Sequence, residues 1–211
     1  MIKRTFDVLL SLLGILLSLP LWILFGLLIL IEDGPPIFYT QERVGKVGRI
    51  FRAIKFRSMI KDAEEGIGPV QAADNDARVT KVGRMLRDTA MDELPQLINI
   101  LKGEMSFVGP RALRPCEIEN KNHKKHCRRE NEHDEVIPLN EIPRYHDRHA
   151  VRPGLTGLAQ VYLPTDAPRP QKFRYDLIYI SRRTFLLDLK LVLISFWVTF
   201  KGKWESRDKK I

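Results

Sequence analysis

A chain of 211 residues with 44% hydrophobic and 29% charged side chains can build one domain with a real core, and its composition excludes wholesale disorder. Its only two cysteines, Cys116 and Cys127, exclude a disulfide framework. The 35 Lys and Arg outnumber the 26 Asp and Glu, for a formal charge of +9, but the basic residues are dispersed among acids and no nucleic-acid-binding pattern is present, so nucleic acid is not an expected partner.

Residues 8–31, VLLSLLGILLSLPLWILFGLLILI, carry no charge. A helix of that length reaches across the ~30 Å hydrocarbon core of a bilayer. Lys3 and Arg4 give it the basic start of a signal peptide. The apolar run is longer than a signal core, however, and Glu32-Asp33-Gly34-Pro35-Pro36 is no small-residue cleavage site. Ser18-Leu19-Pro20 lies near the midpoint, where proline removes a backbone hydrogen bond. Two readings stand: a kinked spanning helix, or a re-entrant hairpin that returns to its face of entry. Basic residues on both flanks mark no outside end. Nearly all the net charge lies beyond residue 31, which suggests anionic headgroups, a phosphorylated substrate, or both.

Next, Ile37-Phe38-Tyr39 and Ile50-Phe51-Arg52-Ala53-Ile54 flank a glycine-punctuated turn around Gly45–Gly48 and predict a β-hairpin. Residues 62–78 are polar, a loop or short helix. Helical spacing covers Thr80–Arg87, and a second helix should start close to Asp92, accept Pro95 in its first turn and end at Gly103. Residues 117–135 form a charged stretch, read as a solvated helix or excursion. Within it His123, His126 and Cys127 have a zinc-like spacing, but Lys124, Lys125, Arg128 and Arg129 would repel a cation. Prolines from Pro138 to Pro170 mark an irregular region. The apolar stretch about 185–204, interrupted by Asp188 and Lys190, reads as an interfacial helix with Trp197 and Trp204 at headgroup depth. The expected fold is mainly α with a small β-hairpin: a membrane segment over 1–34, and a catalytic part over 35–211 continuous with it.

Asp92 and Glu93 are the candidate chemistry. Adjacent acids with Arg84, Arg87 and Pro110-Arg111 nearby suit phosphoryl transfer, because a carboxylate can attack phosphorus, another can hold Mg²⁺ and guanidinium groups can grip phosphate. Acids in a first helical turn also serve as caps, so the residues alone leave both readings open. Lys55 and Arg57 are likewise either phosphate ligands or exposed strand-end charges.

Lys3-Arg4-Thr5-Phe6-Asp7, Lys55-Phe56-Arg57-Ser58-Met59, the run from Asp92-Glu93-Leu94-Pro95-Gln96 to Val108-Gly109-Pro110-Arg111, Arg152-Pro153-Gly154-Leu155-Thr156-Gly157-Leu158-Ala159-Gln160, Tyr175-Asp176-Leu177-Ile178-Tyr179 and Leu187-Asp188-Leu189-Lys190 together resemble the bacterial sugar transferases. More closely they resemble the small monotopic polyprenyl-phosphate phosphoglycosyl transferases, in their minimal catalytic form. That resemblance implies transfer of a sugar-1-phosphate from a nucleoside diphosphate sugar, usually UDP-linked, to a polyprenyl phosphate, with UMP released. It implies Asp92 as a nucleophile forming a phosphosugar ester, and Glu93 as the support for Mg²⁺. Lys55, Arg57, Arg87, Pro110, Arg111, Arg152, Thr156 and Gln160 become the expected substrate-binding set. A re-entrant membrane hairpin broken at Ser18 and Pro20 follows too, with the catalytic part on the cytoplasmic face of a bacterial inner membrane. The implied partners are the nucleotide sugar, the lipid phosphate and the bilayer; a homo-oligomer is left open.

Two departures stand out. The family commonly reads Pro-Arg-Pro where this chain has Pro110-Arg111-Ala112, and its hairpin break is often an adjacent Ser-Pro pair. Rival functions are a membrane-anchored scaffold, which leaves the ordered motifs unexplained, and an ordinary glycosyltransferase releasing UDP, which needs a nucleotide-binding sheet.

Overall fold

The computed structural model describes residues 2–63, 76–115, 144–165 and 167–201. The zinc-like trio, the 117–135 stretch, both cysteines and Trp204 lie outside the described residues. Most of the described chain is helical, as expected.

Helix α1 runs from Ile2 to Asp33 and is long and apolar enough to cross a membrane. The expected helix–break–helix is a single helix here, with Pro20 inside it. Proline gives up its own N–H bond and crowds the Leu16 carbonyl four residues back. Two residues before it the Ser18 hydroxyl bonds the Ile15 carbonyl and accepts the Trp22 indole N–H at 2.9 Å, tying nearby polar groups within the helix.

One stripe of α1 faces the rest of the protein along its whole length. Asp7, Ser11, Ser18, Phe25, Gly26 and Ile29 are buried, while Leu9, Leu16, Leu17, Ile23 and Ile31 on other faces are exposed. Both ends are fastened to the same body. At the start, Arg4 donates to the carbonyls of Ile100 and Leu101, and the Asp7 carboxylate accepts from Ser106 Oγ and Phe107 N. At the finish, Glu32 accepts the N–H groups of Lys81 and Val82 and so caps the next helix, while Asp33 pairs with Arg57.

The hairpin is present and longer than the apolar residues alone suggested. Strands β1 (Phe38–Val44) and β2 (Ile50–Phe56) pair antiparallel, with Phe38 opposite Phe56 and Val44 opposite Ile50. The polar run Thr40-Gln41-Glu42-Arg43 was missed because it is an outer strand with little to bury. Along β2, Phe51, Ala53 and Lys55 share the inner side, two of them buried, so the pleat turns Lys55 toward the body.

Helices α2 (Lys81–Asp88) and α3 (Gln96–Lys102) are joined by a tight 3₁₀ turn, Met91–Glu93. Here the expectation needs correcting: the second helix begins at Gln96, not at Asp92. Ala90 is left-handed, and three-residue bonds from Glu93 N to Ala90 O and Leu94 N to Met91 O set a narrower turn ahead of Pro95. Gly103 ends α3 in the left-handed conformation, as expected. Inside α3 the buried Asn99 bonds Ile54 N and Arg52 O of β2, which fixes the strand carrying Lys55 against the segment after the dyad.

Strands β3 (Ser106–Val108) and β4 (Gly154–Thr156) form a short parallel pair. A Cβ on Gly154 would stand 2.0 Å from Gly109 N, and one on Gly109 would stand 2.4 Å from Arg152 O. The two glycine-bearing motifs therefore interlock backbone to backbone, and Pro110-Arg111 projects from that joint. A 3₁₀ helix, Tyr145–Ala150, precedes β4. Helices α4 (Leu158–Tyr162), α5 (Arg169–Arg182) and α6 (Phe185–Phe200) follow. Phe51, Leu97, Ile100, Phe107, Val161 and Leu191 belong to the main core, and Phe25, Phe56 and Leu86 to a second cluster under the far half of α1. Helix α6 buries Leu191, Val192 and Val198 but exposes Leu186, Leu193, Phe196, Trp197 and Phe200, an apolar outer face of the kind an interfacial helix needs.

Candidate active site

The adjacent acids sit in the Met91–Glu93 turn, with Asp92 only 7% exposed. The cap positions of the turn and of α3 belong to Ala90 and Pro95, and neither makes a side-chain cap bond. What surrounds the acids is positive charge. Lys55 Nζ lies 2.5 Å from Glu93 Oε1 and 3.5 Å from Asp92 Oδ2, and Arg111 Nη2 lies 3.2 Å from the same Glu93 oxygen. Burial pushes the Glu93 carboxyl up, but the charges of Lys55, Arg111 and Arg43 outweigh it and hold the group down to about 2. Glu93 is thus a carboxylate throughout the working pH range.

Four residues from distant parts of the chain therefore converge: Lys55 from β2, Asp92 and Glu93 from the turn, and Arg111 from the β3–β4 joint. Two anions flanked by two cations suit a phosphate-bearing substrate, since the cations can move from the carboxylates to phosphate oxygens as a dianion enters. Mg²⁺ typically takes one or two carboxylates and completes its shell with substrate phosphate and water. The dyad offers those two carboxylates, and no cluster of three or more acidic, His or Cys ligands occurs among the described residues.

Other expected site residues are placed differently. Arg57 is 7% exposed, and its guanidinium bonds the carbonyls of Asp33 and Gly34 as well as the Asp33 carboxylate. It departs from Lys55 because β2 ends at Phe56 and the chain turns toward the end of α1. Arg152 Nε donates to Gly103 O at 2.7 Å, at the close of α3. The Thr156 hydroxyl meets Ser195 of α6, and Gln160 Nε2 reaches Leu155 O at 3.3 Å. These three knit the scaffold together. Pro110 is buried at the joint, its carbonyl accepting Gly154 N, and Arg87 is half-buried in the last turn of α2, just before the dyad.

Sequence reasoning missed Arg43 as a neighbour of the site. Its Nη1 donates to Ala112 O at 3.1 Å, and its charge acts on Glu93. The signal was faint, one more basic residue in a strand without an apolar stripe.

Residues 1–202 match the family model described as bacterial sugar transferase. The chain belongs to that family and is an enzyme of the phosphoglycosyl transferase class. It is 37% identical over 196 residues to the exopolysaccharide production protein PSS of Rhizobium leguminosarum bv. phaseoli, covering 90% of this chain and 91% of the relative. It is 38% identical over 194 residues to the UDP-N-acetylgalactosamine-undecaprenyl-phosphate N-acetylgalactosaminephosphotransferase of Aeromonas hydrophila, again across 90% of this chain but only 42% of that longer protein. Against the UDP-glucose:undecaprenyl-phosphate glucose-1-phosphate transferase of Klebsiella pneumoniae the identity is 35% over 206 residues, covering 95% of this chain and 40% of the relative.

A pH prediction follows from the geometry. Lys55→Met keeps the aliphatic stem and removes the largest charge opposing burial, so the Glu93 pKa should rise even with Arg111 and Arg43 in place. The acid limb of donor turnover then moves to higher pH, with a loss of about 10- to 100-fold near neutrality. For the native protein the sign is that of a depressed carboxyl: its stabilising contribution is complete above its ordinary value of 4.5 and is lost as pH falls toward about 2. Donor kcat/KM measured from pH 4 to 8 checks the shift: the native enzyme should show no Glu93 limb in that range, and a Lys55→Met profile of the same shape would contradict the prediction.

Proposed function

We propose that this enzyme transfers a sugar-1-phosphate from a nucleoside diphosphate sugar, with uridine as the nucleoside, to a polyprenyl phosphate, giving a polyprenyl-diphospho-sugar and UMP. The observation that carries the reading is the convergence of Lys55 and Arg111 on adjacent, ionisable Asp92 and Glu93. The activities for which the Aeromonas and Klebsiella relatives are named point the same way.

In the first half-reaction an Asp92 carboxylate oxygen attacks the phosphorus that bears the sugar. The bond from that phosphorus to the bridging oxygen breaks, and UMP leaves with the electron pair. In the second, an oxygen of the polyprenyl phosphate attacks the same phosphorus and Asp92 departs as a carboxylate. Lys55 and Arg111 hold the phosphate oxygens and oppose the charge that develops on them. Glu93, with its neighbour, would hold Mg²⁺, which supplies neutralisation of the diphosphate and eases departure of UMP.

Membrane placement supports the lipid acceptor. Both ends of α1 are tied to one body, which suits a re-entrant element bent near Ser18 and Pro20 better than a spanning helix with a far end. The exposed apolar faces of α1 and α6 would rest in one leaflet, on the cytoplasmic side where nucleotide sugars occur. Such a step would open the assembly of a glycoconjugate or exopolysaccharide.

A panel of UDP-sugars with polyprenyl phosphate in detergent tests the reaction by its nucleotide product. UMP release matched by a lipid-diphospho-sugar is expected. UDP release would instead assign ordinary glycosyl transfer.

A further inference from the structure

We propose that Arg148, held by Asp176, is the positioning residue that fixes Arg111 against the dyad. The inference rests on the proposed role of Arg111 at the donor diphosphate. The Arg111 side chain is 54% exposed and reaches Glu93 Oε1 at 3.2 Å, so its place at the dyad depends in part on where its backbone is held. From Pro110 to Leu113 each carbonyl receives a donor. Gly154 N bonds Pro110 O at 2.9 Å, Arg148 Nη2 bonds Arg111 O at 3.1 Å, Arg43 Nη1 bonds Ala112 O at 3.1 Å, and Val44 N bonds Leu113 O at 2.8 Å. Two of the four donors are guanidinium groups reaching in from other elements. Ala112 gives this turn no stiffness of its own, as a fixed-φ residue would.

Arg148 is 3% exposed. Its Nε and Nη2 lie 2.8 and 2.7 Å from Asp176 Oδ2, and its guanidinium stands 4.2 Å from the centroid of the Phe173 ring. Burying such a pair is costly, and an apolar pair of similar volume often gives equal or greater stability. An apolar pair offers no donor to Arg111 O. That bond is what the ion pair adds beyond filling space.

The test is a double-mutant cycle on donor kcat/KM, read by UMP release with whichever of UDP-glucose, UDP-galactose and UDP-N-acetylgalactosamine turns over fastest. Arg148→Met combined with Asp176→Leu replaces the pair without leaving a lone buried charge. It should lower kcat/KM about tenfold or more, chiefly through KM, with the melting temperature near that of the native protein. In an Arg111→Ala background the same replacement should change kcat/KM less than about twofold. Ala112→Pro should restore part of the loss by stiffening the turn. Should the paired replacement fold poorly, Arg148→Lys and Ala112→Gly loosen the same turn while keeping the ion pair or leaving it untouched, and both should raise KM. Unchanged kinetics in these variants, or an additive loss in the Arg111→Ala background, would overturn the positioning role alone. Native kcat/KM in Arg111→Ala would instead overturn the reading of Arg111, and this inference with it.

Discussion

Asp92→Asn is expected to lose turnover by roughly a thousandfold or more while its melting temperature stays close to native. The substitution is nearly isosteric and removes the charge that makes the group a nucleophile. Lys55 keeps its 2.5 Å contact to Glu93, so no buried cation is stranded and the stability change should stay within about 1 kcal/mol. The competing account makes Asp92 a capping acid, whose loss would cost about 1 kcal/mol and leave turnover nearly intact. That the cap position of the turn belongs to Ala90, while Lys55 Nζ stands 3.5 Å from the Asp92 carboxylate, favours the first account. Steady-state UMP release and thermal melting of the same preparation decide between them.

Asp188→Ala should give the largest loss of stability. Asp188 is buried on α6 and accepts from Lys3 Nζ at 2.6 Å and Tyr179 Oη at 2.6 Å, and both donors also reach Val108 O. Three helices and β3 meet at this knot. Burial and the adjacent carboxylate push the Tyr179 phenol well above its ordinary value, so it remains a donor at every working pH. Removing Asp188 leaves a buried hydroxyl and a partly exposed ammonium with each other and the Val108 carbonyl in place of a carboxylate, at about 2–4 kcal/mol. For a chain of this size that amounts to an apparent melting-temperature drop of roughly 4–16 °C. Donor turnover should also fall, because Val108 leads into Pro110-Arg111. A melting temperature within a degree of native would show that the knot contributes little.

Much of this was legible in the sequence where the deciding contacts are local. The uncharged run of α1, the turn between β1 and β2, and the stop at Gly103 all follow from neighbouring residue types. So does the candidacy of Asp92 and Glu93, although their 3₁₀ turn was hidden because Ala90 carries no sign of its left-handed backbone. The site's cations were harder. Lys55 and Arg57 share a motif and strand parity, but the strand ends between them, and one reaches the dyad while the other closes the end of α1. Arg152, Thr156 and Gln160 share a motif too, yet the parallel pairing of β3 with β4 gives that motif scaffold contacts. Arg43 and Arg148 reach the Arg111 segment across long separations in sequence, and neither strand nor helix periodicity encodes such pairings.

The covalent intermediate is the central claim, and one measurement reaches it directly. The detergent-solubilised protein is incubated with a turnover-competent UDP-sugar labelled in the sugar, with no polyprenyl phosphate, and the protein is then digested and mapped. If Asp92 is the nucleophile, label should appear on the peptide containing Asp92 with matching UMP release, discharge when polyprenyl phosphate is added, and be missing in Asp92→Asn. Native enzyme that turns over the same sugar yet carries no label, or label retained in Asp92→Asn, would contradict the account.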